Sequence, residues 1–242
     1  MIDWLRRNPK TPPQVEVAGR CLPLVVRRLG HARRLTLRLA PDGSEVRVSM
    51  PRWGRTEDAL AFARSRCDWL AGQLASLPVP AEPLSHGATV PYRGAMLHIE
   101  HAEKAPRRPK LQEERIHLGG PAQTLQPRLR RWLEAEARRL LAEDLAHYCA
   151  RAGVSVPKLY LSNAQRRWGS CSSRGAIRIN WRLVMTPDEV RRSVVAHEVA
   201  HMIHFDHSPR FHALLGELFE GDIAEANRWL KRQGRSLYRH FG

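Results

Sequence analysis

The chain has 242 residues, room for one large domain or two small ones; its 43% hydrophobic and 26% charged residues are the proportions of an ordinary soluble protein, but its formal net charge of +16 is high for this size. No apolar run approaches a membrane span, and the opening Met1-Ile2-Asp3-Trp4-Leu5-Arg6-Arg7 carries no apolar leader segment. The four scattered cysteines (Cys21, Cys67, Cys149, Cys171) include no C-x-x-C pair, which argues against a disulfide frame, a zinc knuckle or a redox pair and for reduced thiols in a cytoplasm.

The 40 basic residues, only five of them lysine, are spread along the chain rather than gathered into one tract. Two readings stand: a surface that attracts nucleic acid or anionic substrates, or arginines that only solvate helix faces.

Residues 35–50 predict a hairpin. Leu35, Leu37 and Leu39 alternate with polar residues, as do Val46, Val48 and Met50, and Pro41-Asp42-Gly43 supplies the turn. A helix is expected from about Thr56 as its cap, with Glu57 and Asp58 in the first turn and an apolar stripe of Ala59, Leu60, Ala63, Cys67, Leu70, Leu74 and Leu77. The proline-rich stretch 78–91 reads as a stiff connection rather than an element. Short strands follow at Met96–Glu100 and Ile116–Leu118, separated by a basic exposed loop, Lys104 to Lys110. A long helix is expected over Pro127–Arg151, with Leu129, Leu133, Ala137, Leu140, Leu141, Leu145 and Tyr148 on its apolar side and Gly153 at its stop. Beyond it, Leu159 and Leu161 alternate. Arg167-Trp168-Gly169-Ser170-Cys171 precedes a turn at Ser172-Ser173-Arg174-Gly175, and Ile177, Ile179, Trp181 and Leu183 return with period two.

Thr186-Pro187-Asp188-Glu189 has the form of a capping box with proline at the first helical position, and Val190 and Val194 carry the apolar stripe into His197-Glu198-Val199-Ala200-His201. H-E-x-x-H on a helix sets two imidazoles on one face, roughly 6 Å apart along the axis, where they can grip one metal ion while the glutamate addresses a water. His204 and His207 compete for third ligand. On a continuing helix the His204 Cα lies roughly 10 Å along the axis from that of His197, too far for three nitrogens to converge at zinc bond lengths of about 2 Å. A chain that leaves the helix after about Phe205 folds His207 back, with Ser208 as cap and Pro209 opening a new helix faced by Phe211, Leu214, Leu215, Leu218 and Phe219. His207 is therefore assigned as ligand, and His204 to the surrounding shell or core. The spacing matches the metzincin pattern except that His204 stands where that pattern has glycine, which argues against a metzincin. Three ligands leave a fourth position for water, with Glu198 as general base, and Arg167, His204, His212, Tyr160 and Tyr238 are candidate oxyanion donors.

The segments Arg167-Trp168-Gly169-Ser170-Cys171-Ser172, Ile177-Arg178-Ile179-Asn180-Trp181-Arg182-Leu183, His197-Glu198-Val199-Ala200-His201 and His207-Ser208-Pro209-Arg210-Phe211 resemble the YgjP-like metallopeptidases, relatives of the SprT-like zincins. The resemblance runs from about Arg33 to near the C-terminus. It implies an α+β zincin-like fold: a variable extension over 1–30, a β-rich part over 31–125 and a metallopeptidase core over 126–242. It also implies one Zn2+ per chain on His197, His201 and His207, with Glu198 catalytic. In such folds an edge strand beside the metal often receives substrate as an added strand, and Gly169 and Ser170 are the candidate backbone for it. The leading expectation is a cytoplasmic zinc peptidase acting on extended polypeptide. The alternatives are a SprT-like protease on DNA-bound proteins, supported by the charge, and a nucleic-acid-binding protein with structural zinc, sealed by His204 or His212 as fourth ligand.

Overall fold

The computed structural model describes residues 13–40, 43–75, 83–172 and 175–241. The chain divides into two compact units, Met1–Val79 and Pro80–Gly242.

In the first unit a four-stranded sheet, order β1-β2-β4-β3, carries two short helices. β1 (Gln14–Val17) and β2 (Arg20–Leu29) form a hairpin whose turn, Ala18-Gly19, has positive φ at both positions, the geometry that fits strand twist. These strands lie within the stretch read above as an extension. β3 (Thr36–Leu39) and β4 (Val46–Pro51) pair antiparallel from Thr36↔Ser49 to Leu39↔Val46, as the 35–50 alternation predicts. Pro41 and Asp42 of their turn lie outside the described residues.

The single helix expected from Thr56 is two, α1 (Thr56–Arg64) and α2 (Cys67–Ala75), with Leu77 outside the described residues. Between them the ladder tightens: Ser65 Oγ donates to the Phe62 carbonyl (2.9 Å), and the Arg66 N–H reaches only back to Ala63 (3.1 Å). Thr56 is not the cap. Arg55 holds that position with its N–H on the Asp58 carboxylate (3.1 Å), while Thr56 Oγ1 accepts from Arg28 (2.9 Å). The core joins Val15, Val17, Leu22, Leu24, Val46, Val48 and Met50 of the strands to Ala59, Ala63 and Leu70 of the helices.

The second unit holds two sheets and a helical layer. One sheet, order β5-β6-β8-β7, comprises β5 (Thr89–Tyr92), β6 (Ala95–His101), β7 (Lys110–Gln112) and β8 (Arg115–Leu118). β5 corrects the reading of 78–91 as connection throughout; as an edge strand it tolerates Pro91. Residues 78–82 of that stretch lie outside the described residues. α3 (Leu125–Arg151) buries all seven stripe residues. It stops as expected at Gly153 (φ 66°), where Val154 N–H returns to the Cys149 carbonyl and Gly153 N–H to that of Ala150.

The other sheet, order β10-β11-β9, consists of β9 (Leu159–Ser162), β10 (Gly169–Cys171) and β11 (Ile177–Asn180). β11 runs antiparallel to β10 and parallel to β9. Ser173 and Arg174 of the intervening turn lie outside the described residues. The strand expected to reach Leu183 ends at Asn180, whose side chain accepts the Arg182 N–H (3.1 Å) and starts a buried 3-10 helix, Trp181–Met185. α4 (Asp188–Ala200), α5 (Pro209–Leu218) and α6 (Ile223–Gln233) complete the unit. The architecture is α+β, as expected, and among the described residues no helix is long and apolar enough to cross a membrane.

Candidate metal centre

α4 carries the motif and is buried almost all round, packed by α3, α5, α6, β10 and the 3-10 helix. Its start is not the predicted capping box. Thr186 spends its hydroxyl on the Leu183 carbonyl (2.8 Å) to close the 3-10 turn, and Pro187 takes the cap position. An ion-pair network anchors the first turns instead. Arg191, 3% exposed at its side chain, donates to Asp144 of α3 (2.6 Å) and to Asp188, and Asp188 also accepts from Arg93 (3.1 Å) at the β5–β6 turn.

At the other end α4 stops at Ala200, about one turn earlier than the predicted exit near Phe205. Met202 and Ile203 bond back three residues rather than four, to Val199 and Ala200. This tighter winding lets the His204 carbonyl accept the Nδ1–H of His201 (3.0 Å). A carbonyl cannot donate, so His201 keeps its proton on Nδ1 and presents a bare Nε2. The part His204 plays around the ligands thus rests on its backbone.

Three ring nitrogens converge. His201 Nε2 lies 3.1 Å and His207 Nε2 3.4 Å from His197 Nε2. Two ligands at zinc–nitrogen bond lengths and a tetrahedral angle stand about 3.3 Å apart, so these two separations suit a zinc site, and all three donor atoms lie within 4.8 Å of one another. His197, His201 and His207 form the one such cluster among the described residues; His204 and His212 do not join it. Burial, with His201, His207 and His212 nearby, pushes the His197 pKa down to about 4, so this imidazole is neutral at physiological pH and free to donate a lone pair.

The three rings share a floor that the sequence reading passed over as core. Phe211, fully buried in the first turn of α5, stacks on His201 (centroids 4.5 Å apart, 29°) and meets His197 and His207 edge-on at 5.0 and 4.9 Å. Ser208 caps α5 and Pro209 opens it, as expected.

Glu198 is 5% exposed, and its Oε2 finds no donor among the described residues. Burial pushes its pKa up to about 7 against the opposing pull of the Cys171 N–H and the Arg167 charge. Gly169 gives it room: a Cβ at that position would stand 2.2 Å from Glu198 Oε1. The glycine thus makes space for the carboxylate, a close approach that spacing alone does not show. Asn180 N–H bonds the Trp168 carbonyl and Ser172 N–H that of Ala176, so in this antiparallel register the Ser170 backbone also faces β11. Gly169 and Cys171 turn their backbone groups to the open edge of β10. Ser170 is therefore replaced by Cys171 as candidate strand-receiving backbone.

The candidate oxyanion donors separate. Tyr238 is committed, donating to the Ala164 carbonyl (2.8 Å) and accepting from Asn180 (2.9 Å). The Tyr160 ring lies under Lys158 and Arg178. Arg167, exposed and close enough to act on Glu198, and His212, whose ring centroid is 6.3 Å from that of His207, remain at the centre.

The chain matches the family model described as YgjP-like, metallopeptidase domain, over residues 33–233 and belongs to that family. No curated protein matches it.

Proposed function

We propose that this member of the YgjP-like family is a zinc-dependent peptidase in which His197, His201 and His207 hold the metal and Glu198 is the general base. The observation that carries the reading is the convergence of three imidazole Nε2 atoms beside a buried carboxylate with one unpartnered oxygen. Bound zinc would supply Lewis acidity, lowering the pKa of a water and polarising the scissile carbonyl. Glu198 accepts the proton of the attacking water and passes it to the leaving amine; a carboxyl poised near neutrality suits both transfers. An extended polypeptide would lie along the open edge of β10, bonded to the outward carbonyls of Gly169 and Cys171. Arg167, exposed and close enough for its charge to act on Glu198, is the candidate cation for the developing oxyanion.

Three histidines with no fourth side-chain donor among the described residues favour this reading over a sealed structural zinc. The test is hydrolysis of an unfolded casein and a fluorogenic peptide by wild type and Glu198→Gln, with zinc content measured in both. The expected result is equal zinc and at least about a hundredfold loss of kcat in the variant. A zinc-loaded Glu198→Gln protein that cleaves like wild type would end the assignment.

A further inference from the structure

The first unit has a feature that the metal centre does not use. In its sheet order, β1-β2-β4-β3, β3 is a terminal strand. Ala40 N–H bonds the Glu45 carbonyl (2.8 Å), and the register sets Arg38 opposite Arg47 and Thr36 opposite Ser49. Antiparallel pairs alternate, so Thr36 and Arg38 turn their backbone groups toward β4, and Leu37 and Leu39 turn theirs away from the sheet. Beside this edge runs an open cleft of about 330 Å³, lined by Arg34, Leu35, Leu37, Phe62, Arg66 and Trp69. Trp69 is 47% exposed, Leu35 and Leu37 are only half-buried, and the Arg66 guanidinium lies 6.0 Å from the centre of the Phe62 ring. Among the described residues no carboxylate forms an ion pair with Arg34, Arg38 or Arg66.

We propose that the open edge of β3 and its adjoining cleft bind an extended, acidic polypeptide segment as a fifth strand, with an apolar side chain of that segment seated between Phe62 and Trp69. Main-chain pairing to Leu37 gives affinity for any extended chain, and the cleft selects every second side chain. Three unpaired guanidinium groups select carboxylates. The same charges disfavour a second copy of this chain, since β3 of a partner would bring its own arginines against these. A single-stranded nucleic acid would find rings and cations too, but it would leave the outward N–H and carbonyl of Leu37 without partners; the strand edge therefore favours polypeptide. The inference does not depend on the peptidase reading, because binding is measured in the absence of hydrolysis.

The experiment uses the full chain carrying Glu198→Gln, and fluorescence anisotropy of a short labelled peptide alternating glutamate with valine and phenylalanine. Saturable binding is expected, weakened about tenfold or more by Arg34→Glu with Arg66→Glu, two exposed positions whose change leaves the thermal melt in place. Trp69→Ala is expected to weaken it as well. The same peptide N-methylated at alternate amides, and its lysine-for-glutamate counterpart, are expected not to bind. Leu37→Pro removes an N–H that makes no ladder bond and is expected to abolish binding in a folded chain; if that variant fails to fold, the N-methylated peptide makes the same test from the ligand side. Unchanged binding by the double arginine variant, equal binding of the N-methylated peptide, or tighter binding of a single-stranded oligonucleotide that displaces the peptide would each overturn the proposal.

Discussion

Gly169→Ala perturbs the proposed centre while leaving all three clustered histidines in place. The added Cβ would stand 2.2 Å from Glu198 Oε1 and 2.7 Å from Cδ and Cγ, where ordinary contact begins at 3.4 Å. The carboxylate or β10 must therefore yield by about 1.2 Å. Glu198 is buried on its other sides, and the Cys171 N–H ties it to the same strand, so it cannot retreat without losing that bond. Displacing a reacting group by about 1 Å costs about 10²-fold in rate, roughly 2.7 kcal/mol of barrier. Overpacking a closed site costs about 1–3 kcal/mol of folding stability. The assay is kcat/KM on a fluorogenic peptide, with zinc measured by mass spectrometry and stability by thermal melt. One zinc per folded chain with kcat/KM down about a hundredfold is expected. A folded, zinc-loaded Gly169→Ala protein within a few-fold of wild type would refute the claim that this close approach holds Glu198 in position.

Other outcomes follow from the same geometry. His207→Ala should lose stoichiometric zinc, whereas His204→Ala should keep it, because the residue's carbonyl, not its ring, orients His201; equilibrium dialysis separates the two. Asp144→Ala strands most of the charge of buried Arg191 and should cost about 3 kcal/mol of stability in urea titration, with Asp188 retaining part of the pairing. Burial favours the protonated form of Glu220, but hydrogen bonds from His147 and Tyr148 and the Arg192 charge outweigh it and hold its pKa down to about 2. That lies below the ordinary 4.5, so the carboxylate's contribution to stability is present above pH 4.5 and is lost as pH falls toward 2. The urea midpoint of metal-free Glu220→Gln should therefore decline less steeply than that of wild type across this window, and parallel slopes would contradict the account.

Much of this was legible in the residues because strong periodicity and strong chemistry coincide. The 35–50 hairpin and the α3 stripe follow from periodicity, and the structure has them as expected; His197, His201 and His207, singled out by motif and turn chemistry, lie together in it. What spacing could not supply was competition for hydrogen-bond donors. Thr56 and Thr186 both have the form of caps, yet each hydroxyl has a tertiary or neighbouring claim, from Arg28 in one case and on the Leu183 carbonyl in the other. Asn180 is the same case in reverse: its amide captures the Arg182 N–H and ends a strand whose alternation continues to Leu183. β1, β2 and β5 were missed because their signals are positive-φ turns at Ala18-Gly19 and Arg93-Gly94, where the non-glycine partner hides the pattern, and because Pro91 reads as a breaker unless the strand is known to be an edge. In the site, Phe211 gave the signal of an ordinary core residue, since the sequence does not show that a new helix turns its first buried ring beneath the ligands.

The position of the proposed ligands on α4 explains why so much structure surrounds them. His197 lies in the last turn and His201 at the cap, where the four-residue ladder gives way to three-residue bonds and a helix is softest. A mid-helix site would be stiffer, but its straight continuation would carry the chain away from the metal. Ending α4 at Ala200 lets the chain double back so that His207 closes the set within 3.4 Å of His197. The rigidity given up there is restored from outside the helix. Arg191 and Asp144 fix α4 against α3, the His201–His204 bond locks the turn, Phe211 fills the space beneath all three rings, and the Gly169–Cys171 strand fixes the carboxylate. Each brace comes from a different element. Single substitutions in them should therefore separate in their effects: Asp144→Ala acting on stability, Gly169→Ala on rate, and His207→Ala on metal content.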